Sequence, residues 1–170
     1  MLRPEPKYPD AKSHTSFQDG LEFQDFVCER LAKHGIVLQN LSSKKWQLSV
    51  GENLQGFEIK LDNRCTDTGR LSIEIEEKSR QATSLLWTPS GILRDDNSWL
   101  YIQGNHRVLF IFAKRFLLRW YHHHEARGTL NMHEAYGTVR AFYLPLDQAA
   151  EYAAKVLDFD NVLGKQPGAS

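Results

Sequence analysis

Hydrophobic positions recur every three or four residues from Leu21 to His34, where Phe23, Phe26, Val27 and Leu31 share one face and the pattern stops before Gly35. An amphipathic helix is predicted there. Alternation takes over in Gly56–Arg80: Phe57, Ile59 and Leu61 point one way, and Glu58, Lys60 and Asp62 the other. Leu71, Ile73 and Ile75 likewise share a face opposite Ser72, Glu74, Glu76 and Lys78. The intervening Asn63–Arg70 is rich in Asp, Thr, Asn and Gly, which is turn chemistry, so the stretch reads as a β-hairpin. A turn centred near Asp67 sets Glu58 opposite Glu76, Lys60 opposite Glu74 and Asp62 opposite Ser72, while a slip by two residues brings Asp62 toward Glu76.

The remaining pattern is shorter. Lys44–Val50 alternates as a strand, and Ser79–Leu86 suits a short helix or turn. Trp99–Gln103 and Val108–Ala113 predict two strands around Gly104-Asn105, the second apolar throughout, as a central strand covered on both faces would be. Lys114–Arg127 predicts a helix and Thr138–Leu144 a last strand ended by Pro145. Asp147 is expected to cap a final helix running through Leu157. Residues Met1–Ser16, with three prolines, read as an extended arm, 17–160 as a single domain and 161–170 as a flexible tail.

Composition adds bounds. With 170 residues, 41% hydrophobic and 25% charged, the chain is long enough for one domain with a true core. Lys plus Arg equals Asp plus Glu at 21 each, so no global charge announces a nucleic-acid partner, although a local basic face is compatible with this balance. Two cysteines, Cys28 and Cys65, make neither a disulfide framework nor a cysteine zinc site and read as reduced and structural. No signal peptide and no apolar run of membrane-spanning length is present, so a soluble cytoplasmic protein without a membrane partner is expected.

Candidate chemistry centres on the hairpin. Carboxylates facing each other across a strand pair lie about 5 Å apart at Cβ. Two such charges repel by about 3 kcal/mol at an effective dielectric near 20. A divalent cation is the simplest compensator, because Mg²⁺ is bound through one or two carboxylates, with water and phosphate completing its shell. The competing reading is a solvated strand face with ordinary Lys/Glu decoration. Among the acids of the first helix, Glu22, Asp25 and Glu29, the last lies deepest in the helix and is the choice to reach the hairpin face. On the Lys114–Arg127 helix, Arg115, Arg119 and His122 share a face that suits phosphate contacts or simply meets solvent. The His122-His123-His124 run is a poor metal site, since neighbouring helical positions differ by about 100°.

The layout of helix, strand, hairpin, two strands, helix, strand and helix resembles the PD-(D/E)xK nuclease superfamily. Glu76-Glu77-Lys78 matches the (D/E)xK element, Glu58 or Asp62 the acid of the preceding strand, and Glu29 or Glu22 the acid of the leading helix. Glu58-Ile59-Lys60 is itself an ExK, and no Pro-Asp pair opens the first hairpin strand. The compact size is also similar to small nucleases of phages and mobile elements. The resemblance implies an α/β (α+β) fold of restriction-endonuclease type, with a mixed central sheet flanked by helices. It implies a metal-dependent nuclease using Mg²⁺ or Mn²⁺, with DNA preferred over RNA and a homodimer as one way to cut both strands. Glu58, Glu76 and Asp62 then hold the metal with the Glu77 carbonyl, Lys78 orients the attacking water and neutralises charge, and Glu29 acts from behind. Lys60, Arg80, Arg115 and Arg119 are the candidates for phosphate contacts. The alternative is an inactive nucleic-acid-binding module of the same fold.

Overall fold

The structure is a computed structural model that describes residues 11–38, 53–78 and 85–165. Eight strands fall into two four-stranded sheets. Sheet A has the order β1 (Phe57–Leu61), β4 (Leu100–Gly104), β5 (Val108–Ala113) and β8 (Lys155–Asp158). Sheet B has the order β3 (Thr88–Pro89), β2 (Arg70–Glu77), β7 (Val139–Pro145) and β6 (Met132–Ala135). The described helices are α1 (Ala11–Ala32), the four-residue α2 (Cys65–Thr68), α3 (Lys114–Ala126) and α4 (Leu146–Tyr152). A mixed α/β protein was expected and is found, with its strands divided between two sheets instead of gathered in one.

The hairpin expectation is corrected. β1 runs parallel to β4, with Glu58 beside Tyr101, whereas β2 runs antiparallel to β7, with Ile73 beside Phe142. The link between β1 and β2 does turn the chain, but it does so through α2, whose C-terminal Gly69 adopts φ +69. That helical turn carries the chain out of sheet A and into sheet B. Glu58 and Glu76 are therefore not cross-strand neighbours.

Alternation decides which side of sheet A each residue covers. Phe57, Ile59, Ile102, Leu109 and Leu157 pack on one face against Phe23, Val27 and Leu31 of α1. Tyr101, Phe110 and Phe112 pack on the other face, against Leu71, Ile73, Ile75 and Phe142 of sheet B and against α3 and α4. Each of these fully buried aliphatic side chains contributes about 1.5–3 kcal/mol relative to exposure. Sheet A is thus covered on both faces, and its polar face residues, Glu58 and Lys60, are turned toward sheet B.

Other boundaries differ. The first helix begins at Ala11, so residues 11–16 are helical, and residues 1–10 lie outside the described part. The last predicted helix stops at Tyr152, where Ala153 turns extended at ψ 138, and Lys155–Asp158 joins β5 as a strand. The expected strand at 44–50 and residues 79–84 lie outside the described residues.

Candidate functional site: a buried acid–lysine cluster between the sheets

β2 presents part of its edge to sheet A, and sheet A supplies the missing partners from side chains. Asp62 Oδ2 accepts from the Ser72 backbone N–H at 2.9 Å, and Gln103 Nε2 donates to the Ser72 carbonyl at 2.7 Å. These bonds set β1 and β2 side by side, so that the polar face of β1 meets Glu74. Lys60 Nζ lies 3.3 Å from Glu58 Oε1 and 3.6 Å from Glu74 Oε2. One ammonium thus bridges two carboxylates that belong to different sheets.

Glu58 is 1% exposed, and neither of its carboxylate oxygens has a hydrogen bond among the described residues. Its second cation is Lys114, at 4.0 Å. Lys114 opens α3, and its Nζ donates to the Arg94 carbonyl at 2.8 Å, Asp96 Oδ1 at 3.0 Å and Ser98 Oγ at 2.6 Å. All three ammonium protons are therefore directed elsewhere, and Glu58 receives only its field. A unit pair 4 Å apart is worth about 4 kcal/mol at an effective dielectric near 20, against a cost of several kcal/mol for burying a carboxylate. The balance falls on the side of burial, which raises the Glu58 carboxyl above its usual value despite Lys60 and Lys114.

Glu74 is held differently. Ser90, fully buried, donates its hydroxyl to Glu74 Oε1 at 2.5 Å. Arg94 continues the cluster to Glu77 Oε1 at 3.4 Å, and Asp96 also accepts from the Ser98 hydroxyl and, at 2.9 Å, from the Ser98 backbone N–H. Burial alone would raise the Asp96 carboxyl, but the Ser98 bonds and Lys114 outweigh it and hold it below the usual range. Four carboxylates, Glu58, Glu74, Glu77 and Asp96, thus meet three cations, Lys60, Arg94 and Lys114. The acids are in excess by one charge, and the one without hydrogen bonds is the most deeply buried.

The sequence-expected residues divide. Glu58, Lys60 and Glu77 belong to the cluster, and the expected Lys60–Glu74 contact is present, made between sheets and not across a hairpin. Asp62 lies beside it, its carboxyl raised by burial while it caps Ser72. Glu76 instead pairs with Arg140 at 3.1 Å, opposite it on β7 beyond a bulge in β2. The Lys78 ammonium lies over the Trp87 ring at 4.7 Å. Glu29 faces solvent and pairs with Lys33 at 2.9 Å, which lowers its carboxyl. Arg115 and Arg119 are exposed on α3 and line a cavity of about 410 Å³ with Phe116 and Tyr152. Arg80 lies outside the described residues.

The histidine run does not converge: His122 meets Glu125 at 3.4 Å, while His124 meets Thr129 and lies tilted against the Trp120 ring. Among the described residues, no group of three or more His, Cys, Asp or Glu side chains is arranged to hold a metal. Sequence reasoning missed Ser90, Arg94, Asp96 and Lys114. Asp95-Asp96-Asn97 looked like turn chemistry alone, but a lysine directly after an uninterrupted apolar strand was a usable signal for a buried cation.

Comparison with known protein families, curated proteins and solved structures finds no match to this chain.

Proposed function

We propose that the chain is a metal-dependent phosphodiester hydrolase acting on nucleic acid, with DNA preferred over RNA, and that Glu58, Lys60 and Glu74 form its centre. The observation that carries this reading is a buried carboxylate, Glu58, with no hydrogen bond on either oxygen among the described residues. Such a group calls for an explanation, because buried polar atoms are almost always hydrogen-bonded, and the ion pairs with Lys60 and Lys114 leave both oxygens without a hydrogen-bond donor. Its oxygens fit a hard divalent cation, and the second acid is within reach of the same ammonium. Glu58 and Glu74 would hold Mg²⁺ or Mn²⁺, which supplies Lewis-acid polarisation of the phosphodiester and a bound water of lowered pKa. Two carboxylates are a sparse set, of the kind Mg²⁺ uses when substrate phosphate and water complete the shell.

The chain's own residues do the rest. Lys60, flanked by both acids, stays close to the reacting phosphate and offsets the charge that builds on it. Ser90 fixes one oxygen of Glu74 and leaves the other aimed at Lys60. Lys114 supports the Glu58 charge without occupying its lone pairs. In terms of the nuclease resemblance, Glu58-Ile59-Lys60 takes the part of the ExK element and Glu74 that of the partner acid. Calorimetric titration of Mn²⁺ tests this: binding by the wild type that is lost in both Glu58→Gln and Glu74→Gln supports the centre. Equal binding in all three proteins contradicts it.

A further inference from the structure

Trp99 is held with unusual care for a residue that is 59% exposed. Its indole N–H donates to the Gln55 carbonyl at 2.7 Å, its backbone N–H to the Gly56 carbonyl at 2.9 Å, and its ring meets Phe57 edge-on at 5.8 Å. Gly56 makes room for this seat: at φ +76, a Cβ there would lie 2.6 Å from Trp99 Cδ1 and 2.6 Å from the Asn97 carbonyl. The loop beneath is pinned by buried Asn53, which exchanges bonds with Phe57 at 2.6 and 2.9 Å and accepts from Asn97 at 2.9 Å. Rigid support of an exposed indole is costly to justify by packing, since most of the ring faces water. It is the arrangement that a planar ligand needs.

The surroundings name the ligand's second half. Trp99 borders a cavity of about 510 Å³ that also takes in Arg94, Asp95, Asp96, Lys114 and Arg115, so that an acidic pair and three cations meet along it. Asp96 and Lys114 belong to the Glu58 cluster, so the cavity borders the outer side of that cluster, while Glu58, Lys60 and Glu74 themselves do not line it. Arg115 also lines the neighbouring cavity of about 410 Å³ with Arg119, one turn further along α3. Neither arginine has an ion pair among the described residues. A flat aromatic platform next to two unneutralised guanidinium groups fits an aromatic base joined to phosphate.

We infer that Trp99 and Arg115 form a site for an unpaired nucleotide of the nucleic-acid strand, its base stacked on the indole and its phosphates passing Arg115 toward Arg119. The inference rests on the hydrolase reading for the identity of the substrate and specifies it as single-stranded where it enters the site. A base in a duplex cannot offer its face to the indole, whereas unpaired bases stack on aromatics at about 1–3 kcal/mol each, with little regard to sequence.

The test is fluorescence anisotropy of a labelled oligothymidylate and of a duplex of equal length, in EDTA, with wild type, Trp99→Ala, Trp99→Phe and Arg115→Ala. The single strand is expected to bind more tightly than the duplex and to lose on the order of tenfold in Trp99→Ala, with most affinity kept in Trp99→Phe. Arg115→Ala is expected to weaken binding and reduce the salt slope by about one. Equal affinity in Trp99→Ala and wild type overturns the site, as does an equal loss in Trp99→Ala and Trp99→Phe. Displacement by thymidine monophosphate at concentrations comparable to the strand also overturns it, in favour of a free nucleotide. Cleavage measured on the same preparations separates the two ideas. Metal-dependent cutting indifferent to Trp99 removes this site and leaves the hydrolase standing, and Trp99-dependent binding with no cutting in any metal does the reverse.

Discussion

Ser90 donates its hydroxyl to Glu74 Oε1 at 2.5 Å, and the residue that follows it, Gly91, packs its Cα directly on the Glu74 backbone. A Cβ at Gly91 would lie 2.2 Å from the Glu74 carbonyl oxygen, and the residue sits at φ +51. Backbone against backbone has no flexible end to yield, so Gly91→Ala must push the 90–93 turn away from β2. The expected cost is about 2–4 kcal/mol, combining overpacking with the left-handed backbone. Chemical denaturation checks the stability, and hydrolytic activity should fall further than in Ser90→Ala, which removes the bond and leaves the turn in place.

Glu58 gives a pH signature. Burial raises its carboxyl above the usual 4.5, so the folded state holds this proton more tightly than the unfolded chain does. Its contribution to stability is therefore largest below the unfolded value and is lost as pH rises through the raised one. Glu58→Gln removes that slope, so the stability of the variant relative to wild type should rise with pH across this window, as urea denaturation at a series of pH values would reveal.

How much of this could be read from the chain follows from what each pattern encodes. The buried stripe Phe23, Val27, Leu31 and the apolar strand of residues 108–113 were legible because period and composition act locally. Strand partners were not, because the turn residues at 63–70 say that the chain changes direction and not which sheet it enters next. The sequence extends the last helix through Leu157 because Ala149, Ala150, Tyr152, Ala153, Val156 and Leu157 fit a helical face. In the fold, Val156 and Leu157 instead serve opposite sides of sheet A. β6 escaped notice because Met132-His133-Glu134-Ala135 has no β-branched residue. At the site, the Lys60–Glu74 contact was legible, and the alternation alone fits either surface decoration or a functional face. Only the burial of Glu58, which no local pattern encodes, sets it apart.

Tyr136 offers a gain in stability. It occupies the first turn position of the β6–β7 hairpin at φ 55, is followed by Gly137 at φ 67, and is 94% exposed. Both central residues of this turn need positive φ, a conformation that Asn adopts far more readily than Tyr. Tyr136→Asn should raise stability by about 1 kcal/mol, seen as a higher midpoint in thermal unfolding.

The two cysteines should behave differently. Cys65 is fully buried, and burial, aided by the nearby Asp62 charge, pushes its thiol up to about 12. Cys28 is only partly covered. Iodoacetamide at pH 8 should therefore leave Cys65 unmodified until denaturant is added, which peptide mapping by mass spectrometry would report.

The most direct test of the Glu58–Lys60–Glu74 centre is cleavage of linear, circular and single-stranded DNA, and of RNA, with Mg²⁺, Mn²⁺ or EDTA. Wild type is compared with Glu58→Gln, Lys60→Ala, Glu74→Gln, Glu76→Gln and Lys78→Ala, each checked for folding by circular dichroism. Metal-dependent cutting should fall by about two orders of magnitude or more in the first three variants, as loss of several kcal/mol of charge stabilisation requires. It should persist in Glu76→Gln and Lys78→Ala, whose side chains are engaged with Arg140 and Trp87. Full activity in Glu58→Gln and Glu74→Gln, or absence of cutting by the wild type under every metal condition, would contradict the account.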